Sequence, residues 1–174
     1  MTFWLRHITR QRSAWLLLGL SAVFLEVCAL LFQHVLGLRP CLMCIYERLV
    51  VIGLLGSSLI ALIDPAKSLW RWGGLILWGL SIYRGLQLSL RHVDYLLHPS
   101  PFNSCSFFPD FPAWLPLDIW FPWWFKPLAE CSERQWNLWG WELPQWLVLI
   151  FSVYLIVWIV IVAANLLTHK YLAE

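Results

Sequence analysis

Charge is scarce in this chain: Asp, Glu, Lys and Arg make up 13% of its 174 residues, against 60% apolar ones. That excludes a soluble domain of ordinary composition, in which about 25% of residues are charged. The net charge of +2 is too small for the basic footprint of a nucleic-acid binder, and it implies no acidic partner. Internal repeats and low-complexity tracts are absent, so the chain is not a repeat array. No Gly-rich nucleotide or flavin fingerprint occurs, so any redox chemistry needs a different electron acceptor. Acids are also missing from residues 1–13, which hold Arg6, Arg10 and Arg12. The apolar run that follows ends without a small-x-small cleavage site, which argues against a signal peptide.

What the chain does have is apolar runs of membrane-spanning length, at about 14–32, 45–63, 72–90 and 145–164. Short polar connections at 33–44 and 64–71 join the first three, and a long Pro- and Trp-rich segment, 91–144, precedes the fourth. The expected fold is an all-α membrane protein, a single domain over 1–174 built as a four-helix transmembrane bundle. Four spans place both termini on one side. That side carries Arg6, Arg10, Arg12, Lys67, Arg71 and Lys170 against Asp64 and Glu174; the other carries Arg39, Arg91, Lys126 and Arg134 against six acids. The excess of cations puts both termini in the cytoplasm. The long segment then lies in an outer, disulfide-permissive compartment together with Cys41, Cys44, Cys105 and Cys131. Its indoles, Trp114, Trp120, Trp123 and Trp124 among them, favour the headgroup level. A short membrane-surface helix is therefore expected between Trp114 and Phe125.

Pro40-Cys41-Leu42-Met43-Cys44-Ile45-Tyr46-Glu47-Arg48 is the stretch around which the rest is organised. Cys41 and Cys44 are spaced to close a small reducible ring. With a helix from Ile45 onward, Cys44 falls in its first turn, where the helix dipole favours thiolate. Arg48, four residues on, shares that face and adds a cation. A Cys105–Cys131 bridge would close about 27 residues and contribute about 3.5 kcal/mol in the chain-entropy model. That alone justifies a structural brace, whereas two couples at one membrane face can also exchange through mixed disulfides. Zinc is a further alternative, with Cys105 and Cys131 completing a four-ligand site around Cys41 and Cys44. For a relay, a lipid-soluble quinone is the natural acceptor. Arg48 is a candidate donor to a quinone carbonyl and His92 a second donor or proton source; the plain alternatives are a snorkelling arginine and an interfacial histidine. Glu26 and Cys28, inside the first run, read as packing residues.

Further pieces carry a resemblance: Gln33-His34, Pro40 to Arg48, Arg84-Gly85, Pro99-Ser-Pro-Phe102 before Cys105, Trp114-Leu-Pro-Leu-Asp118, Cys131-x-Glu-Arg-Gln-Trp136 and Pro144-Gln-Trp146. In order and over nearly the whole chain, they resemble the DsbB family of Gram-negative inner-membrane proteins. The resemblance implies a quinone-dependent protein-disulfide oxidoreductase that reoxidises a periplasmic DsbA-like thiol oxidase and needs no metal. Electrons would pass to ubiquinone, or to menaquinone without oxygen. It implies that Cys105 is attacked by the reduced partner, that Cys131 then attacks Cys41, and that the freed Cys44 thiolate serves quinone held near Arg48, His92 and Glu47. Leu143 replaces a Met that some relatives have beside the quinone pocket, and Cys28 is an extra thiol set apart from the relay. The alternatives are a paralogue serving a dedicated oxidase, or a structural membrane protein with bracing disulfides.

Overall fold

The computed structural model describes residues 7–100, 103–106 and 108–170. Arg6, Phe102 and Glu174, used above for charge counting or motif matching, lie outside the described residues.

Four long helices organise the fold: α1 (Arg12–His34), α2 (Leu42–Ile63), α3 (Ser68–Leu97) and α6 (Leu143–Lys170). Two four-residue helices, α4 (Leu117–Trp120) and α5 (Pro122–Phe125), and a two-stranded ribbon, β1 (Asn137–Leu138) and β2 (Trp141–Glu142), interrupt the segment between α3 and α6. Among the described residues, α1, α2 and the Leu143–Leu167 part of α6 are long and apolar enough to cross a membrane. The chain is a helical membrane protein, and the exposed Leu17, Leu20, Phe24, Val153 and Ile156 follow from that, since lipid is a solvent for them. α3 carries Arg71, Arg84, Gln87 and Arg91 and is not among those three helices.

The bundle is knitted by α2, which packs on α1 and α3, while α3 packs on α6. Its core joins Trp15, Leu18 and Ala22 to Val50, Val51, Leu54 and Ala61, then to Leu75, Trp78 and Ile82, with Phe151 closing it from α6. Lipid tails are as apolar as leucine, so close backbone approach rather than water exclusion has to drive such packing. Gly74 provides it: a Cβ there would lie 2.8 Å from the Ala61 methyl and 2.9 Å from the Ser57 carbonyl oxygen. Several polar groups in the core find partners, whereas the buried Trp78 indole N–H has none among the described residues. Ser57 Oγ donates to the Leu54 carbonyl, Trp158 Nε1 to the Leu75 carbonyl, and Tyr154 Oη to Ser21 Oγ.

The α3–α6 segment folds back over the start of α2. The Leu128 amide donates to the Pro40 carbonyl at 2.8 Å, and Cys41 forms a parallel bridge with Ala129. Arg39 pairs with Glu133 at 2.6 Å, and the Gln135 side chain exchanges hydrogen bonds with the Arg39 backbone. Farther along, Trp139 (φ 53°) and Gly140 (φ 81°) form the two-residue turn between β1 and β2, with Asn137 opposite Glu142. Two positive φ angles match the twist of a tight hairpin.

Candidate functional site

The helix that carries the Cys-x-x-Cys motif starts three residues before the expected Ile45, at Leu42, because Cys41 is its N-cap. The Cys41 sulfur accepts the Cys44 amide at 3.3 Å. One free N–H of the helix end is thus committed to Cys41 rather than to Cys44, which sits in the first turn. The two sulfurs lie 2.8 Å apart and both thiols are free. Cys105 and Cys131 are joined in a disulfide, with Cα atoms 5.9 Å apart. That bond removes two of the four ligands of the zinc alternative. The remaining thiols still form a compact donor set with His92, all three ligand atoms lying within 4.8 Å of one another.

α3 continues to Leu97, beyond the apolar run that was expected to end at 90, and His92 is therefore a helical residue facing inward. Its Nε2 lies 3.4 Å from the Cys41 sulfur and its Nδ1 lies 3.3 Å from both oxygens of Glu47. Glu47 and His92 are 3% and 4% exposed, so this chain of contacts from carboxylate to imidazole to sulfur is sealed from water. Burial pushes the Cys41 thiol well above the ordinary cysteine range, and the neighbouring Cys44 and Glu47 push it the same way.

Arg48 turns away from His92. Its guanidinium donates to Gln33 Oε1 at 2.6 Å, to the Trp124 carbonyl at 2.9 Å and to the Ala29 carbonyl at 3.2 Å. α2 directs Glu47 toward α3 and Arg48 toward α1, so Arg48 and His92 line the same cavity from different walls. Arg48 is 6% exposed and meets protein oxygens, which rules out the snorkelling alternative. Gln33 also donates to the Trp123 carbonyl, tying α5 to the end of α1. Trp124 ties it a second time, its indole N–H donating to Glu26 Oε1 at 2.7 Å.

These residues enclose one cavity of about 370 Å³. Cys44, Glu47, Arg48 and His92 line it, between apolar walls that include Phe24, Leu147 and Phe151. Its size falls within the usual range of small-molecule pockets, about 300–1,000 Å³. Leu143, the position noted above, is on the wall. So are Glu26 and Cys28, which the sequence assigned to packing. Gln33 and Trp124 carried no chemical signal of their own. Gln33 appeared only as part of a shared motif, and the contribution of Trp124 to the Arg48 contact is a backbone carbonyl, which any residue has.

Cys131 is buried in one apolar cluster with Cys41, Leu42 and Met43, while Cys105 is only half-buried at its margin. The joined pair therefore has one member buried beside the Cys-x-x-Cys motif and one partly exposed.

Residues 11–161 match the family described as disulfide bond formation protein DsbB. The chain belongs to the DsbB family. It is 53% identical to disulfide bond formation protein B of Aeromonas salmonicida, over 98% of each chain. It is 52% identical to that of Aeromonas hydrophila, again over 98% of each. To that of Psychromonas ingrahamii it is 47% identical, over 95% of this chain and 90% of the relative. A DsbB-family protein is an oxidoreductase of disulfide bond formation, so bracing alone does not account for the cysteines.

Proposed function

We propose that the chain withdraws electrons from a periplasmic DsbA-like thiol oxidase and delivers them to membrane quinone, ubiquinone or, without oxygen, menaquinone. The observation that carries this reading is the placement of Cys131, buried against Cys41, while its disulfide partner Cys105 stands half-exposed. A reduced partner attacks Cys105, forming an intermolecular disulfide and releasing Cys131 as thiolate. Cys131 attacks Cys41 of the closed Cys41–Cys44 ring, and Cys44 leaves as thiolate. The partner's second thiol then resolves the link at Cys105, and the partner departs oxidised. Cys105 restores its bond to Cys131, leaving Cys41 and Cys44 as the reduced pair. This is the pairing seen in the structure.

The quinone cavity is assigned to the space between Cys44, Arg48 and the apolar wall of Phe24, Leu147 and Phe151. Its apolar lining and the Arg48 cation on its wall suit an apolar ring with carbonyl oxygens at its edge. Quinone, when bound, supplies the two-electron acceptor. Arg48 holds a positive charge on the wall, fixed in orientation by Gln33 and the two carbonyls, where charge develops during reduction. Burial favours the neutral Cys41 thiol, and His92 Nε2, 3.4 Å from its sulfur, is the group within reach to exchange a proton with it. Burial works against a charge on His92, but Glu47, 3.3 Å from Nδ1, and Cys44 outweigh it and raise the group to about 9, so the ring carries a proton beside the Cys41 sulfur at neutral pH. His92 and Glu47 therefore act on Cys41 first and on quinone through it.

The reading places the chain in the bacterial inner membrane with four spans, α3 crossing as the fourth through its apolar stretch at 72–90. Both termini are cytoplasmic, the connections at 33–44 and 91–144 are periplasmic, and α4 and α5 rest on the membrane surface. Trapping the complex with a DsbA-like partner that lacks its resolving cysteine tests the relay. A mixed disulfide at Cys105 is expected; a link at Cys41 or Cys44 would overturn the order of transfer. In the same preparation Cys44→Ser abolishes quinone reduction, and full turnover by that variant would remove the assignment of the acceptor side.

A further inference from the structure

Glu26 lies on α1 inside a membrane-crossing helix and lines the cavity that holds Cys44 and Arg48. One of its oxygens, Oε1, accepts the Trp124 indole N–H at 2.7 Å. The other, Oε2, is buried and has no hydrogen-bond partner. Arg48, on the same cavity, donates to Gln33, Trp124 and Ala29, all neutral oxygens. Among the described residues no ion pair joins Arg48 to Glu26. An ionised carboxylate in this position would leave a buried charge with a single hydrogen bond while a cation beside it serves neutral groups. Buried charges persist when paired, so this arrangement suits a neutral acid. A neutral carboxylic acid has one O–H to give, and here the oxygen without a partner is the one free to carry it. Packing alone does not require a carboxyl at this position: the contact to Trp124 needs one acceptor oxygen, which Gln would supply equally well.

We propose that Glu26 is a catalytic acid of the quinone cavity, delivering a proton to the quinone oxygen as Cys41 and Cys44 close their disulfide. The proposal rests on the quinone reading above and adds a residue to it. The balance is two thiols plus quinone giving one disulfide plus quinol. The S–S bond forms between Cys41 and Cys44, whose two electrons reduce the ring. One proton reaches a quinone oxygen from the Glu26 carboxyl, and the other comes from the Cys41 thiol through His92. Cys44 reacts as thiolate, and the proton that restores Glu26 is one of those released by the partner's thiols. Trp124 holds the carboxyl through Oε1, which leaves the buried Oε2 as the oxygen that carries the proton.

Glu26→Gln in the full-length protein tests this, because Gln keeps the acceptor for Trp124 and an N–H donor toward the cavity but has no proton to release. Infrared spectra of the oxidised, quinone-free protein are expected to show the carbonyl stretch of a neutral carboxylic acid that disappears in Glu26→Gln. If wild type lacks that band, Glu26 is ionised and the proposal falls. In single-turnover oxidation of the Cys41–Cys44 dithiol by ubiquinone, the variant is expected to be slower by about 100-fold, the scale of a lost general acid. Its quinone affinity is expected to hold within about threefold, which separates proton delivery from binding. An unchanged rate, or an affinity that falls as far as the rate, overturns the proposal. If wild-type protein oxidises no dithiol with quinone, the quinone reading itself fails, while the infrared band still reports the state of Glu26.

Discussion

Replacing Gln33 by Leu removes the shortest hydrogen bond to the Arg48 guanidinium, 2.6 Å from Gln33 Oε1, and with it the tie from Gln33 Nε2 to the Trp123 carbonyl at 2.9 Å. Hydrogen bonds to charged groups contribute about 1.5–3 kcal/mol. Arg48 keeps the Trp124 and Ala29 carbonyls, so it stays in place but loses the contact that fixes its outer edge. If the orientation of Arg48 matters for the acceptor, that loss appears in quinone binding, at about 1.4 kcal/mol per tenfold change. The expected outcome for Gln33→Leu is a rise in the apparent KM for ubiquinone of about 10- to 100-fold, on the same free-energy scale, with exchange at Cys105 unaffected. Gln33→Glu is the companion variant. It keeps an acceptor for Arg48 and loses only the donor to Trp123, so its KM should stay near wild type. Steady-state assays with varied quinone and a fixed, saturating DsbA-like partner make the measurement. A wild-type KM in Gln33→Leu would refute the claim that Gln33 positions Arg48. An equal rise in both variants would move the effect to the tether on α5.

Two further outcomes rest on separate features. Burial raises the Cys41 thiol, so its thiolate population, and with it alkylation by iodoacetamide in the reduced protein, is low at neutral pH and rises only at alkaline pH. The alkylation midpoint read by mass spectrometry should exceed the value of about 8.5 for a free cysteine; a midpoint at or below it would contradict the sealed environment. Gly74→Leu forces a Cβ to within 2.8 Å of the Ala61 methyl and 2.9 Å of a backbone oxygen. Overpacking of that kind costs about 1–3 kcal/mol, so a lower midpoint of thermal unfolding in detergent is expected, and an unchanged midpoint would count against tight α2–α3 packing.

Hydropathy and motif spacing were enough to recognise a helical membrane protein and to single out Cys41, Cys44, Cys105 and Cys131. The end of α3 was not visible that way. Arg91 and Asp94 read as loop because a hydropathy window measures partition into lipid, whereas the backbone can continue its helical hydrogen bonds past the apolar stretch, as it does to Leu97. His92 was therefore singled out as a residue but not as one that faces inward to Cys41. The helix start was missed for a related reason: Cys41 caps α2 with sulfur, an acceptor outside the usual Ser, Thr, Asp and Asn set. Glu26 and Cys28 were read as packing because a one-dimensional pattern shows that a side chain lies within a span, not that the span borders a cavity. The contacts that orient Arg48 come from residues 19 positions before and 76 after it, and two of the three acceptors are backbone carbonyls with no compositional trace.

The bridge between Cys41 and Ala129 has a kinetic consequence. Cys131 follows Ala129 by two residues, so a chain pinned there lets the cysteine swing through a radius of about 7 Å at full extension. In the relay proposed above, the sulfur freed from Cys105 would stay on this leash beside Cys41. On that proposal the transfer from loop to motif would be a unimolecular event with the high effective molarity of a tethered pair. Its rate should be indifferent to how dilute the protein is in the membrane, leaving encounter with the soluble partner as the concentration-dependent step.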